Sequence, residues 1–263
     1  TIEEPEVIDE NLEDTREFYD GITGEALETE LVDKGRMDEM GYMENLGVFV
    51  RVKTEECFEK TGRLPLPSGW VDTNKGDRNK PEIRCRLVAK ETKRLSTLGP
   101  DDHAATFAAT PPLEGLRLLL SMAMTGRKSD KVLTFIDVSR AHLHSEVNQD
   151  VYLQALAEDT KCKDDECWKL LKAMYGLTHA PRNFWRDVQQ RQKKLGGINL
   201  VGDPCTWVYL SSTFEVIGMT GCHVDDFLIA GDDKHPEWLR IRKELKAMYH
   251  WGAWEVGSMR YAG

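Results

Sequence analysis

Hydrophobic residues recur along this chain at two spacings, one typical of helices and one typical of strands. Apolar positions at helical spacing predict one or two amphipathic helices between residues 25 and 46. A helix is predicted directly after the proline pair 111–112, and because its residues are apolar nearly all round we expect it to be buried. Further amphipathic helices are predicted over residues 182–195 and 237–249.

Short apolar runs predict strands at residues 83–89 and 132–138. Two more runs, 216–224 and 227–230, are separated only by two acidic residues, Asp225-Asp226. Two strands joined by two residues form a β-hairpin, so we expect these acids to be its turn. Helices and strands are mixed without a regular β-α-β alternation. This order predicts an α+β fold rather than a doubly wound α/β fold.

The charge of the chain changes along its length. The net charge of the 263 residues is −10 at pH 7, which is unusual for a protein that binds nucleic acid. Residues 1–60 contain 19 acidic and 6 basic residues, which leaves 26 acidic and 29 basic residues in 61–263. We therefore expect an acidic lead-in with amphipathic helices at 1–60, followed by a mildly basic domain at 61–263. Nucleic-acid binding depends on local patches of charge, so the second part stays compatible with it.

Several classes of protein are disfavoured by composition. No run of about 18 apolar residues is present, so no membrane-spanning helix is expected. No basic-then-apolar leader opens the chain, and its first residue is Thr1 rather than Met, so we expect a non-secreted piece of a longer protein. Cys162 and Cys167 lack a second cysteine pair at zinc-finger spacing. Free thiols in a reducing compartment are therefore favoured over a zinc site.

Three aspartates are the candidates for chemistry. Asp225 and Asp226 lie between two apolar runs, and Asp137 ends a third, T-F-I-D-V. Acids in a turn are often simply solvated, and this is the plainest interpretation of Asp225-Asp226 alone. If a second strand brings Asp137 to the same sheet end, however, the carboxylates can converge on divalent cations. Mg²⁺ prefers oxygen ligands, and two such ions can hold the attacking and leaving oxygens of a phosphoryl displacement.

Several blocks of sequence, in order, resemble the reverse transcriptase region of copia-type retrotransposon Pol polyproteins. The blocks are I-R-C-R-L-V-A-K-E at 83–91, F-A-A-T-P-P at 107–112, F-I-D-V-S-R-A-H-L at 135–143, Y-G-L-T-H-A-P-R at 175–182, D-P-C-T-W-V-Y at 203–209 and H-V-D-D-F-L-I-A-G at 223–231. The resemblance covers about residues 70–233. Any single block is a weak signal, whereas their common order and spacing are a strong one.

This resemblance implies a polymerase with fingers and a palm. The palm would be an antiparallel sheet packed on helices with a catalytic β-hairpin, and the thumb would be mostly absent. The implied activity is that of an RNA-directed DNA polymerase, which joins a dNTP to a primer 3′-hydroxyl with two Mg²⁺ ions, or Mn²⁺. The implied partners are an RNA template, a DNA primer, and the integrase and ribonuclease H of a full-length element. The implied location is a cytoplasmic retroelement particle, or the nucleus.

The resemblance also implies residue roles. Asp137, Asp225 and Asp226 would be the catalytic, metal-binding carboxylates. The residues implied to contact the dNTP or the primer are Arg84, Arg86, Lys90, Val138 through its carbonyl, His142, Tyr175, Gly176 and His223. Basic residues that could contact nucleic-acid phosphates, or simply form solvated helix faces, are Lys169, Lys172, Arg182, Arg186, Arg191, Lys193 and Lys194.

Two histidines depart from the family pattern. His142 stands where the family has an aromatic residue that packs under the sugar and excludes a 2′-hydroxyl. Histidine is planar and can block this hydroxyl, but it is smaller and can hydrogen-bond to it, so sugar selection stays open. His223 replaces the tyrosine that contacts the primer end, where an imidazole can still make a polar contact.

Two other functions stay open from the sequence alone. The histidine replacements are compatible with a catalytically decayed copy that keeps the fold and only binds nucleic acid. The acidic charge of residues 1–60 is compatible with a separable protein-interaction module.

Overall fold

The computed structural model describes residues 16–92, 106–125 and 131–256. In these ranges it contains five α-helices, each with an amphipathic or partly buried face. They are α1 (Thr29–Leu46), α2 (Thr54–Thr61), α3 (Leu113–Met124), α4 (Ala180–Lys194) and α5 (Pro236–Lys246). Proline occupies the first turn of α4 and α5, where its missing N–H costs no helical hydrogen bond. Among the described helices, none has the length and apolar character needed to cross a bilayer.

Thirteen strands are present in the described ranges, and every pairing between them is antiparallel. They are β1 (Phe18–Tyr19), β2 (Ala26–Leu27), β3 (Phe49–Lys53), β4 (Ser68–Asn74), β5 (Ile83–Ala89), β6 (Lys131–Asp137), β7 (Tyr152–Leu153), β8 (Glu166–Leu170), β9 (Ile198–Leu200), β10 (Asp203–Leu210), β11 (Val216–His223), β12 (Asp226–Asp232) and β13 (Glu255–Val256). Helices and antiparallel sheets are thus mixed along the chain, which confirms the predicted α+β class.

The largest sheet has six strands in the order β13-β6-β12-β11-β10-β9. Successive residues of a strand point to opposite faces, and the two faces of this sheet carry separate apolar cores. Phe227 and Ile229 pack with residues of α4 and α5 on one face. Leu228 and Ala230 pack with residues of α3 on the other. The end of this sheet is therefore held by helices on both sides.

Helix α3 is less buried than its composition predicted. Only Gly115 and Leu119 of this helix are buried. Leu113, Leu118 and Met124 are 54%, 48% and 83% exposed, respectively. The expectation of full burial was wrong because the sheet covers only one side of the helix.

A further hydrophobic core, separate from the two on the faces of the six-stranded sheet, joins the N-terminal segment to the rest of the chain. Met40 and Met43 of α1 pack with Leu87 of β5 and Trp168 of β8. Strand β3, which follows α1, pairs along its length with β8. The observed packing therefore crosses residue 60, where the change in charge suggested a division. The separability of residues 1–60 stays a prediction.

Candidate active site

Two neighbouring strands bring the candidate aspartates to one end of the six-stranded sheet. Asp137 is the last residue of β6, Asp226 is the first residue of β12, and the two are Cα partners in the antiparallel pairing. One residue further on, the Val138 amide donates a 2.9 Å hydrogen bond to the Asp225 carbonyl. Residues 87 and 89 positions apart in the chain are thus direct neighbours, as the shared sheet end requires.

The turn of the β11–β12 hairpin differs by one residue from the predicted turn. Its two central residues are Val224 and Asp225, and Asp226 already belongs to β12. Val224 adopts φ 57°. A β-branched residue in this left-handed region is strained, and such strain is concentrated at functional sites. The prediction that Asp225-Asp226 forms the turn was therefore wrong, because the pairing of Asp226 with Asp137 fixes the register.

The carboxylate oxygens at this sheet end are the kind of ligand that divalent cations such as Mg²⁺ prefer. Asp137 is exposed, and Asp225 and Asp226 are half-buried. Across residues 16–92, 106–125 and 131–256, no three Asp, Glu, His or Cys side chains are already grouped closely enough to hold a metal by themselves. Mg²⁺ is commonly bound by one or two carboxylates, with substrate phosphates and water as the other ligands. Two neighbouring strands that each provide a carboxylate meet that requirement.

Three further site residues lie beside these acids. His223, the last residue of β11, is half-buried and is the Cα partner of Asp226. Val138 is buried, and its amide makes the hydrogen bond to Asp225. Below the turn, burial raises the pKa of the Cys222 thiol well above its usual value, and this thiol lies 3.3 Å from the Val224 carbonyl. Cys222 is thus an inert part of the turn's support.

His142 lies in a short 3₁₀ helix, residues 141–144, that follows β6. Its ring contacts Tyr175 and Phe184 edge-on, at centroid distances of 5.2 and 6.3 Å. Burial lowers the pKa of His142; the nearby Asp225 carboxylate opposes this effect and Arg86 adds to it. The imidazole is therefore neutral at pH 7, and its buried Nδ1 has no hydrogen-bond partner within the protein.

Tyr175 and Arg86 complete this side of the site. The Arg86 guanidinium lies 5.0 Å from the centre of the Tyr175 ring, a distance typical of a cation–π contact. Burial raises the pKa of the Tyr175 hydroxyl. The structure therefore brings together three residues that the sequence assigned to one nucleotide pocket, namely Arg86, His142 and Tyr175.

Gly176 joins this pocket to β5. The Ala89 amide donates a 2.8 Å hydrogen bond to the Tyr175 carbonyl. Gly176 adopts φ 85°, and a Cβ at this position would lie 1.9 Å from the Ala89 carbonyl oxygen. Only glycine fits both the backbone conformation and the close approach.

Arg84 and Lys90 are placed differently from Arg86. Arg84 is exposed on the same face of β5, two residues from Arg86. Lys90 is exposed, and its side chain covers Gly69 of β4, where an added Cβ would lie 2.4 Å from Lys90 Cε. Among these three cations, Arg86 is the one that contacts the Tyr175 ring.

A comparison with protein families identifies the family of most of the chain. A family model described as reverse transcriptase (RNA-dependent DNA polymerase) matches residues 58–255. The chain belongs to this reverse transcriptase family. The match begins after α1 and β3 and includes the sheet end with its three aspartates.

Curated relatives of this chain are polyproteins of plant transposons. It is 26% identical over 206 residues to the retrovirus-related Pol polyprotein from transposon TNT 1-94 of Nicotiana tabacum, covering 76% of this chain and 14% of that protein. It is 30% identical over 167 residues to those from transposons RE1 and RE2 of Arabidopsis thaliana, covering 62% of this chain and 11% of each relative. The predicted resemblance to the reverse transcriptase domain of copia-type Pol polyproteins is thereby confirmed. The chain spans 11–14% of the length of these relatives.

Basic residues of the chain line an open groove of about 1020 Å³ along α4. Those predicted to contact phosphates and found here are Lys172, Arg186, Arg191, Lys193 and Lys194. Arg191 already pairs with Asp187 at 2.7 Å, and acidic residues Glu146 and Glu244 share the lining. Lys169, outside the groove, pairs with Glu56 at 2.8 Å, and Arg182 is half-buried. The groove is thus of mixed charge, and the three aspartates do not line it.

Sequence patterns missed a contact between α1 and the segment that follows β6. Glu39 is buried, with 2% exposure, and pairs with Arg140, which adopts φ 52°. The Arg140 guanidinium lies 4.1 Å from the centre of the Tyr42 ring. The sequence does not indicate that Glu39 is buried, because an acidic residue on a helix is ordinarily solvated. Its partner, Arg140, is 101 residues away in the chain.

Proposed function

We propose that this chain is the fingers and palm of an RNA-directed DNA polymerase from a copia-type retrotransposon. The palm would be the six-stranded sheet with its helices, and the fingers would include the β4–β5 hairpin, with the thumb mostly outside this chain. The single observation that carries the proposal is the pairing of Asp137 with Asp226, together with the hydrogen bond between Val138 and Asp225. In the proposed reaction, a primer end and a triphosphate would meet at these carboxylates from two strands.

The proposed reaction is attack of the primer 3′-oxygen on the α-phosphorus of a dNTP, with pyrophosphate as the leaving group. Divalent cations held by Asp137 and Asp225, with Asp226 more peripheral, would lower the pKa of the 3′-hydroxyl and neutralise charge on the triphosphate. The Val138 carbonyl would add an oxygen ligand. Mg²⁺ fits the carboxylate chemistry of this sheet end, and Mn²⁺ would substitute for it.

The protein side chains would position the nucleotide. Arg86, held against Tyr175, would bind the triphosphate, with Arg84 and Lys90 as its neighbours on the fingers. His142 would lie under the sugar, and Tyr175 and Gly176 would line the pocket beside the template. His223 would contact the primer end. The neutral state of His142 supports a packing role rather than phosphate binding, because burial lowers its pKa.

The macromolecular partners belong to the same proposal. They are an RNA template, a DNA primer, and the integrase and ribonuclease H segments of a full-length polyprotein in a retroelement particle. The polyprotein relatives support this assignment, although the chain matches only 11–14% of their length.

Primer extension on an RNA template with Mg²⁺ tests the proposal. Asp225→Asn should lower the extension rate roughly 100-fold or more, as removal of single electrostatic catalytic groups does. Asp164→Asn is the matched control, because Asp164 is an exposed acid away from this sheet end, and it should leave the rate unchanged. Binding of the primer–template should be measured in parallel at low salt.

The alternative is a catalytically decayed copy that keeps only nucleic-acid binding, which the histidines at 142 and 223 favour. Primer–template binding without extension, equal for the wild-type chain and Asp225→Asn, would contradict the polymerase proposal and support this alternative.

A further inference from the structure

The segment after α5 runs back along the end of β6 and forms backbone hydrogen bonds with Asp137 and Ser139, on either side of Val138. The Gly252 amide donates a 3.0 Å hydrogen bond to the Asp137 carbonyl. The Ser139 amide donates a 2.9 Å hydrogen bond to the His250 carbonyl. Asp137 thus lies between two chain segments, with β12 on one side and residues 250–252 on the other.

The residue between these two bonds holds the segment in place. Trp251 forms a β-bridge with Val138. Its ring packs edge-on against Phe227 of β12, at a centroid distance of 5.2 Å and an interplanar angle of 90°. Its indole N–H donates a 3.1 Å hydrogen bond to the Leu245 carbonyl of α5. The segment that reaches Asp137 is therefore fixed to the core of the sheet and cannot simply swing away.

Because Gly252 has no side chain, the Asp137 carboxylate occupies the space where a Cβ of residue 252 would lie. A Cβ at residue 252 would lie 2.1 Å from Asp137 Oδ1 and 3.2 Å from Asp137 Cγ. The φ of Gly252 lies outside the left-handed region, so its backbone conformation does not require glycine. The available space, rather than the backbone, is what excludes a side chain at this position.

A side chain at residue 252 would have to displace the Asp137 carboxylate. Restoring an ordinary contact from 2.1 Å requires a movement of roughly 1 Å, and misplacing a catalytic group by that amount costs about 100-fold in rate. We propose that Gly252 is a positioning residue, because its lack of a side chain leaves the Asp137 carboxylate in the place that it occupies at the end of the sheet. This inference rests on the proposed function for the role of Asp137, and on the geometry for the contact.

The test compares Gly252→Ala with Gly41→Ala. Gly41 lies in α1, has no positive φ, and has open space where a Cβ would be added, so it is a matched control. Mn²⁺ affinity is measured from the electron paramagnetic resonance signal of the free ion, and primer extension gives kcat and the KM for dNTP. Gly252→Ala should weaken Mn²⁺ binding about tenfold or more and lower kcat about 100-fold, while KM changes less than about threefold. Gly41→Ala should change none of these values.

A double-mutant cycle with Asp137→Ala separates positioning from a general structural role. If Gly252 acts through the Asp137 carboxylate, Gly252→Ala should have no further effect on Mn²⁺ binding or melting temperature once that carboxylate is absent. The cycle stays informative if Gly252→Ala alone folds poorly, because the double variant with Asp137→Ala should then fold normally. An equal effect of Gly252→Ala in both backgrounds would overturn the inference.

The outcomes also separate this inference from the proposed function. Wild-type Mn²⁺ affinity and extension in Gly252→Ala would overturn the positioning role and leave the polymerase proposal standing. Weakened Mn²⁺ binding in Gly252→Ala, through Asp137 in the cycle but with no primer extension by any variant, would support the positioning role and contradict the polymerase.

Discussion

The six-stranded sheet carries the acidic candidate site residues and the β4–β5 hairpin carries the basic ones, and the two regions are held in place in different ways. The acids at residues 137, 225 and 226 lie at one end of a sheet that is covered by α3 on one face and by α4 and α5 on the other. Arg84 and Arg86 lie on a sheet of only two strands. Two-stranded hairpins are marginally stable alone, so the position of these cations depends on what the hairpin contacts. The acids lie at the end of a sheet with a core on each face, whereas the cations depend on how the hairpin packs on α1 and bonds to the segments around the site, a connection called here the joint.

The joint combines the packing of Leu87 of β5 against Met40 and Met43 of α1 with polar contacts to the segments around the site. The Ala89 amide bonds to the Tyr175 carbonyl at 2.8 Å, and the Thr178 amide bonds to the Glu91 carboxylate at 2.7 Å. Glu39 of α1 pairs with Arg140 just after β6. Substitutions in the sheet core should therefore affect global stability most, and substitutions in the joint should mainly affect how substrate is held.

The largest expected effect comes from the core of the six-stranded sheet. The ring of Trp238 lies flat over Gly218 and Gly231, which are cross-strand Cα partners, and a Cβ at either glycine would lie about 2 Å from it. Trp238→Ala would leave a cavity between α5 and the sheet and should lower the free energy of unfolding by about 3–5 kcal/mol. Urea denaturation measures this change.

Leu239→Ala is the control, because Leu239 is the next residue of the same helix and is 45% exposed. It should cost less than about 1 kcal/mol. A loss in Trp238→Ala no larger than that of the control would contradict the idea that this core fixes the acids.

Sequence patterns predicted the elements of both regions better than the connections between them. Residues 83–89 alternate in character and form β5 as predicted. The β11–β12 hairpin was also predicted, but its turn was misplaced by one residue. Turn propensity disfavours Val224 at φ 57°, and the cross-strand pairing of Asp226 with Asp137 overrides that preference. A long-range pairing of this kind is not encoded in local spacing.

The family resemblance predicted a set of site residues, whose roles stay predictions, but it did not predict the residues that support them. Arg86, His142 and Tyr175 were assigned to one pocket, and they contact or closely approach one another. Glu39 and Gly252 were not anticipated. A helical acid and a single glycine are common on protein surfaces. Only the contact of Glu39 with Arg140 and that of Gly252 with Asp137 show that these two residues support the site.

An intermediate effect is expected from the joint at Gly176. Alanine there combines an unfavourable φ of 85° with a Cβ 1.9 Å from the Ala89 carbonyl oxygen. Gly176→Ala should lower the free energy of unfolding by about 2–4 kcal/mol and raise the KM for dNTP, because β5 and Arg86 must move away. Denaturation and steady-state primer extension measure the two quantities.

Gly196→Ala is a close control for this substitution. Gly196 adopts φ 86° and has open space where a Cβ would be added, so its alanine variant carries only the backbone cost of about 1–2 kcal/mol. Equal losses of stability and equal KM values in the two variants would show that contact with β5 does not matter.

The smallest expected effect concerns the acidic lead-in. Glu39 is buried and paired with Arg140, whose side chain is 32% exposed, so solvent screens part of the interaction. Glu39→Gln should lower the free energy of unfolding by about 1–2 kcal/mol, less than the cost of breaking a fully buried pair. Glu30→Gln, an exposed acid in the first turn of α1, is the control and should change stability by less than about 0.5 kcal/mol.

Glu39→Gln also tests whether the acidic lead-in is a separate module. Helix α1 lies outside residues 58–255, the part matched by the family model. Arg140, however, lies between Asp137 and His142, so a change in α1 should reach the site through it. Glu39→Gln should therefore lower the rate of primer extension severalfold in addition to its effect on stability, and Arg140→Gln in the same chain should add little to either loss. Additive losses, or an unchanged rate, would favour a lead-in that is independent of the part of the chain matched by the family model.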